Sequence, residues 1–439
     1  MTLVFKCTNC GLTSRTPHML CPICGSLVHP VHGWKWSFEE KRGIWSFSGI
    51  LPRPDQRISL GEGYTPLIES SRLFHELVFY KDEGRNPTGS FRDRAAALVV
   101  SDALSRGAKR LVLASDGNMG ASVAAYGARA GLPVTVYVPQ WVDPEKIMIM
   151  KAFGANVIIR DLELDELLKV VSRRSRRRGL YNASSTYNSL SIEGLKTIAI
   201  EIVLQMGRGP KEVVLPLGSG LTILSLYHGF REMVDEGHIA YIPKLIGVET
   251  CGNPFYASLL GISAKCSEEA LPGLSYTKPI IRDYVVNIIE KYGEVVVVRR
   301  SKVVEAAKNL AQREGLFVEP SSAVALAGAL NIRLSDYTVI VLTGHGLKGP
   351  SAYREASRTK TTTIFPGSTK KLIIDILKEN TGLTGYEVWK RLGLKISVQA
   401  VYQHLHDLLR KGYLEVREDR GLKLYYLRRD VRFSSKTAS

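Results

Sequence analysis

The chain has 439 residues, of which 45% are apolar and 23% charged, and it carries a formal net charge of +17. That length is too great for one compact domain and suits two or three, with composition ordinary for a soluble globular protein and room for a large core. No apolar run approaches the roughly 20 residues a bilayer-crossing helix needs. The opening Met1 to Cys7 leads into polar, cysteine-rich sequence rather than a signal peptide, so a cytoplasmic protein with no membrane partner is expected.

The positive charge makes contact with nucleic acid worth testing. One conspicuous run, Arg173-Arg174-Ser175-Arg176-Arg177-Arg178, has a simpler reading. It follows Leu162 to Leu168, and cations at the end of an amphipathic helix suit the C-terminal dipole.

Four of the six cysteines lie in the first 24 residues, unlike a disulfide framework. Cys7-Thr8-Asn9-Cys10 and Cys21-Pro22-Ile23-Cys24 form two CxxC pairs, each followed by glycine, Gly11 and Gly25. Each pair can make a tight knuckle, and together they offer four thiolates to one tetrahedral Zn²⁺. Four cysteines leave no open position, so the metal of this small ribbon, residues 1–30, is expected to be structural.

Residues 31–357 alternate strand and helix signals. The strand candidates are Arg110 to Ala114, Pro133 to Val138, Asn156 to Ile159, Glu212 to Leu215, Lys244 to Val248 and Thr338 to Leu342. Ala121 to Ala130 and Val303 to Glu314 are helical. Continuous aliphatic strands alternating with helices imply parallel sheet covered on both faces, and the length leaves room for two lobes with a cleft between them. Three glycine-bearing segments follow strands: Ser115 to Gly120, Gly218 to Thr222 and Thr343 to Gly346. Such turns bring backbone N–H groups up to a phosphate, at the strand ends where ligands of open α/β sheets sit.

Residues 358–369 are polar, contain Pro366-Gly367 and read as a linker. Residues 370–432 form a separate pattern. Leu372, Ile373, Ile376 and Leu377 recur at helical spacing; Thr384 caps a second helix through Leu392, closed by Gly393. A third helix runs from Ser397 to Leu409, with Val401, Leu405, Leu408 and Leu409 as its apolar stripe. Tyr413 to Val416 and Leu422 to Leu427 then flank a turn at Glu418 to Gly421. Three helices followed by a hairpin is the order of a winged helix-turn-helix; residues 433–439 are a tail. From Gly367 onward there are fifteen Lys/Arg against eight Asp/Glu, a net +7. On the third helix Ser397, Gln399, Gln403 and His404 are placed to meet bases, and Arg417, Arg420 and Lys423 on the hairpin to hold phosphates.

Several segments resemble threonine synthases. They are Leu60-Gly61-Glu62-Gly63-Tyr64-Thr65-Pro66-Leu67, Lys81 to Arg94 (with Asn86-Pro87-Thr88-Gly89-Ser90-Phe91-Arg92-Asp93-Arg94), Glu193-Gly194-Leu195-Lys196-Thr197, Glu319-Pro320-Ser321-Ser322-Ala323 and Leu342 to Lys348. The resemblance covers about Cys7 to Pro350 and implies a two-lobed α/β fold-type II core, similar to the tryptophan synthase β subunit, built for pyridoxal phosphate (PLP). It also implies that Asn118 meets the ring hydroxyl, that Gly218, Ser219, Gly220 and Thr222 cradle the phosphate, and that Thr343 meets the pyridine nitrogen. The tail resembles archaeal winged-helix transcription regulators.

Three positions depart from the pattern. The family's Schiff-base lysine is Arg92 here, and a guanidinium stays protonated and forms no imine. Ser191 stands where an arginine grips the substrate phosphate, and Gly349 where aspartate is usual. Lys81 belongs to the motif but is expected elsewhere in the site. The expectation is a non-catalytic threonine synthase-like homodimer that binds DNA, holds structural zinc, and senses PLP, bound non-covalently, or an amino-acid-related small molecule. The alternatives are a working PLP-dependent threonine synthase or related lyase, and a protein-interaction scaffold.

Overall fold

Aliphatic runs such as Leu111 to Ala114 and Val339 to Leu342 offer water no polar face, and they form buried strands of two largely parallel sheets. The computed structural model describes residues 3–31, 43–47, 49–264, 268–271, 273–353, 363–364, 368–393, 396–419, 421–428 and 432–433. It divides the chain into one unit over residues 1–352 and a second over 353–439.

The first unit opens with β1 (Val4–Cys7) between β2 (Thr13–Ser14) and β3 (Val28–Val31), an antiparallel sheet. After β4 (Leu67–Glu69), β5 (Val78–Asp82) and α1 (Arg92–Ser105) comes the smaller lobe. It comprises β6 (Arg110–Ala114), α2 (Asn118–Arg129), β7 (Val134–Pro139), α3 (Pro144–Ala152), β8 (Asn156–Arg160), α4 (Leu164–Arg174) and β9 (Leu180–Asn182). Its four strands are parallel in the order β8-β7-β6-β9.

The long helix α5 (Leu190–Met206) leads to the larger lobe. There β10 (Glu212–Pro216), α6 (Leu221–Asp235), β11 (Lys244–Thr250), α7 (Phe255–Leu259), α8 (Arg282–Tyr292) and β12 (Gly293–Val298) are followed by α9 (Arg300–Arg313), α10 (Pro320–Ala329) and β13 (Thr338–Leu342). With β5 and β4 they make a six-stranded sheet ordered β12-β11-β10-β13-β5-β4, in which β4 alone runs antiparallel. This is the two-lobed α/β core that the alternation of strands and helices implies. No helix among the described residues is long and apolar enough to cross a membrane.

A buried charge cluster ties these parts together. Arg94, fully buried on α1, donates from Nε and Nη2 to Glu83 at 2.7 Å each and from Nη1 and Nη2 to Glu201 on α5. Lys81 on β5 donates to the same Glu201 carboxylate at 2.7 Å and to the Thr65 carbonyl at 2.8 Å. Burial would raise the Glu201 carboxyl, but Arg94 and Lys81 outweigh it and hold the group at about 2. Two cations and two carboxylates are thereby matched out of water, and the start of α1 is fixed against β5 and α5.

The second unit contains α11 (Ser368–Glu379), β15 (Leu383–Thr384), α12 (Gly385–Arg391), α13 (Val398–Arg410), β16 (Leu414–Asp419) and β17 (Leu422–Leu427), with β14 (Thr363–Ile364) paired parallel to β18 (Arg432–Phe433). Ile373, Leu377, Val388, Val401, Leu405, Leu408 and Tyr425 close a core of its own. A reciprocal cap between Thr384 and Glu387 starts α12, and Ser397 caps α13 by accepting from the Ala400 N–H at 3.2 Å. Most of the expected linker and tail lies outside the described residues.

Removing the shared cation should expose what the cluster contributes. Arg94→Met leaves Glu83 buried without its cation and Glu201 with Lys81 alone, a loss expected to cost about 3–5 kcal/mol. Urea unfolding of the variant measures it as a lower midpoint at unchanged slope; a loss below about 1 kcal/mol would count against the cluster as the anchor of α1.

Candidate functional site

Strand ends from both lobes converge on one pocket. Ser115 to Gly117 turn from β6 into α2, Leu217 to Gly220 turn from β10 into α6, Thr343 follows β13, and Arg92 opens α1. Asn118, Gly218, Ser219, Gly220, Thr222 and Thr343 all line this pocket, together with Arg92. Asp116, Lys146, Tyr276 and Glu319 line it as well.

Local chemistry explains both turns. The Ser115 hydroxyl accepts from the N–H groups of Gly117 and Gly120 at 3.1 and 2.9 Å. Gly117 has φ +149°, and a Cβ there would stand 2.4 Å from Lys146 Cδ, so glycine is what lets the lysine lie across the turn. Gly220, at φ +81°, precedes α6, and a Cβ there would meet Val285 at 2.5 Å and the Tyr256 hydroxyl at 2.6 Å. The first N–H groups of α6 have no helical acceptor and form the positive end of its dipole, a ready phosphate cradle.

The opposite end of the pocket is charged. Arg92 stacks on the Phe91 ring at 4.4 Å, and its Nη1 is sealed from solvent with no hydrogen-bond partner. Burial pulls the guanidinium down from its usual value, while Tyr276, Asp116 and Glu319 act against that; it remains a cation. Lys146 Nζ stands 3.4 Å from both Glu319 and Asp143. Burial would lower the Lys146 ammonium, but Glu319, Asp143 and Asp116 hold it up. Burial would raise Glu319, but Lys146 and Lys348 hold it low, and it accepts a short hydrogen bond from the Asn118 amide. Burial raises Asp116, opposed by Lys146 and Arg92.

Arg92 Nη1, Asp116 Oδ2 and Asn118 Oδ1 are all buried without partners. Native interiors seldom leave such atoms unpaired, and a polar ligand would satisfy them. The open space they surround is about 50 Å³, room for a few waters. A substituted pyridine needs more room than that, so side chains lining the pocket must shift to admit it. The phosphate cradle, Asn118 and Thr343 fit PLP; position 92 offers it no amine.

Lys81 does not line the pocket and belongs to the Arg94 cluster. Ser191 is buried on α5 with Oγ unpartnered and does not reach the pocket either, so no side chain from position 191 contributes there. Lys146 and Tyr276 carried no readable motif, and Glu319 stood within one but without a role. Their part is visible only once the lobes face each other.

The four N-terminal sulfurs lie within 4.8 Å of one another, with Cys7 and Cys24 at 3.4 Å and Cys10 and Cys21 at 3.6 Å. Thiolates on a tetrahedron around Zn²⁺, each at about 2.3 Å, stand roughly 3.8 Å apart, so the set fits that ion. In the second unit Ser397, Gln399 and Gln403 are exposed on α13 and His404 is half-buried. Arg417 is exposed but paired with Glu415 at 2.6 Å, and Lys423 lies across the hairpin from Glu418. Arg420 lies outside the described residues.

The profile described as pyridoxal-phosphate dependent enzyme matches residues 58–344. Threonine synthase of Methanocaldococcus jannaschii is 33% identical over 383 residues, covering 80% of this chain and 94% of that protein. Threonine synthase of Methanosarcina acetivorans is 31% identical, covering 79% and 92%. Among solved structures, a lysine-to-alanine variant of O-ureido-L-serine synthase with O-ureido-L-serine bound superposes with a TM-score of 0.56 at 19% identity, over 72% of this chain and 96% of that one. Maize serine racemase gives 0.56 at 20% identity, over 66% and 91%. The two structures share the fold.

The sulfur cluster makes a direct prediction. Purified protein should contain one Zn²⁺ per chain, released on Cys21→Ser substitution or by thiol-modifying reagent and counted with a chromogenic chelator. Metal-free protein whose four thiols alkylate without unfolding would sink it.

Proposed function

Because this chain belongs to the pyridoxal-phosphate dependent enzymes and is threonine synthase-like, we propose that it keeps the family's ligand pocket and has given up the family's covalent chemistry. The observation that carries this reading is Arg92, its guanidinium buried in the pocket with Nη1 unpartnered. PLP held covalently by a lysine amine would supply an electron sink for amino-acid chemistry. An arginine supplies no amine for that attachment and no proton-free base at neutral pH. What these residues can do is bind: α6 receives a phosphate, Asn118 and Thr343 meet the ring, and Arg92 donates to an oxygen or carboxylate.

The second unit gives the binding a use. Three helices, a capped and exposed third helix, and a hairpin with cationic side chains support a winged helix that reads DNA. The function we propose is regulation: a DNA-binding protein whose affinity for its operator depends on a small phosphorylated or amino-acid-related ligand in the pocket.

A second reading is favoured by Lys146, a buried amine on the same pocket, and by relatives that are threonine synthases. In it the chain is a lyase that uses Lys146 in place of the missing lysine. Its pairing with Glu319 and Asp143, which keeps it protonated, counts against nucleophilic attack.

Borohydride treatment in the presence of PLP, followed by peptide mapping, separates the two. The unmodified protein should give no pyridoxyl-lysine, whereas Arg92→Lys should give one at residue 92 and little threonine from O-phosphohomoserine. An adduct on Lys146 with turnover would establish the lyase instead.

For DNA, Gln399→Ala with Gln403→Ala should flatten sequence preference, each glutamine being worth about 1–3 kcal/mol at one base if bidentate. Arg417→Ala with Lys423→Ala should weaken all sequences together and lower the salt slope. Full-length protein that ignores duplex DNA at low salt would end the regulator reading.

A further inference from the structure

The arginine run after α4 has a second half that the helix-dipole reading does not explain. α4 ends at Arg174, whose guanidinium donates to the Tyr137 hydroxyl at 2.7 Å and stacks over the same ring. Arg176 and Arg178 lie beyond the helix, outside the last turn where its dipole acts. Both line instead a cleft of about 1110 Å³ that shares no lining residue with the pocket described above.

That cleft is formed between two parts of the first unit. One wall is residues 15–22, the loop that joins the two CxxC pairs; the other is residues 106–109 and 172–182 of the smaller lobe. Its lining includes Arg15, Lys109, Arg176 and Arg178 and not one carboxylate. All four of these side chains are exposed, and none has an ion pair or side-chain hydrogen bond among the described residues. Arg106 is different: it is fixed to Asp102 at 2.6 Å and to the Leu3 carbonyl, and so buttresses the wall. Burial and the field of Arg176 both lower the His18 imidazole on the rim.

Four unneutralised cations around a concavity focus a positive potential into it. They leave the cleft short of its natural counter-charge, and the number matches a chain of phosphates better than a single anion. The remaining lining is apolar: Met19, Leu180, Tyr187 and Ile280 offer a flat ring somewhere to lie. A cleft volume near the upper range of small-molecule sites favours a compact ligand over an extended strand.

We infer that this cleft binds a nucleoside polyphosphate, its phosphates on Arg15, Lys109, Arg176 and Arg178 and its base on the apolar wall. The site is separate from the pocket between the lobes and stands whether or not that pocket binds PLP. Binding is purely non-covalent and involves no bond cleavage.

The test uses full-length protein with a fluorescent ribose-labelled ATP, competed by ATP and by inorganic tripolyphosphate. Saturable binding that weakens as salt rises is expected, with tripolyphosphate competing less well than ATP because it lacks the base. Arg176→Ser with Arg178→Ser should weaken binding at least about tenfold. Thermal unfolding should be unchanged, since neither side chain has a partner to lose. Arg417→Ala with Lys423→Ala should leave the affinity alone, and an azido-nucleotide should label peptides from residues 15–22 or 172–187. The inference is overturned by wild-type protein that binds none of these probes, by equal affinity in the Arg176/Arg178 variant, or by saturation with a single-stranded oligonucleotide alone.

Discussion

Everything about the pocket depends on how firmly the first turn of α1 is held, and that is the work of one buried guanidinium. Arg94 joins Glu83 and Glu201, while Lys81 completes the charge balance and the Thr65 and Thr197 hydroxyls also accept from Arg94. These partners come from β5 and its following turn, from α5 and from the segment before β4. Arg92 is two residues away on the same turn, so its placement is inherited from a cluster it does not touch. A cation and carboxylates brought out of water add little net stability, but they tolerate few alternative arrangements. The cluster therefore acts as a gauge of position more than as a source of stability.

The same constraint clarifies what an arginine at position 92 does and does not set. The helix, the cradle at α6 and the neighbours Asn118 and Thr343 are built from backbone geometry and packing that are indifferent to the residue at 92. What changes is local: a longer, planar, permanently charged group reaches between Asp116, Tyr276 and Glu319 and fills space that a lysine would leave. The fold is thus that of its PLP-dependent relatives, while the end of the pocket at residue 92 carries a guanidinium in place of an amine.

Much of this was legible in the sequence. The strands at Arg110, Glu212 and Thr338 follow their aliphatic runs, because a doubly covered strand is apolar on both faces, while the edge strand at Asn156 is largely exposed. The turns after β6 and β10 announced themselves by glycine. α5 did not: Leu190 to Val203 are buried on every side, so no amphipathic stripe marks it, and its Glu193, Lys196 and Glu201 are paired inside. β5 and β12 were likewise hidden, the first inside a polar motif and the second directly abutting a helix. Lys146, Tyr276 and Glu319 reach the pocket from segments far apart in the chain, and no local pattern signals a meeting that only the fold brings about. The arginine run misled in part, since Arg174 ends its helix as expected while Arg176 and Arg178 serve a different surface.

One consequence of Arg92 concerns time rather than affinity. A lysine in that position takes hold of its ligand and lets it go through bonds that form and break, so the length of each visit is set by chemistry. A guanidinium offers only contacts. At residue 92, then, the hold on a ligand lasts only as long as those contacts last, and its strength is theirs alone.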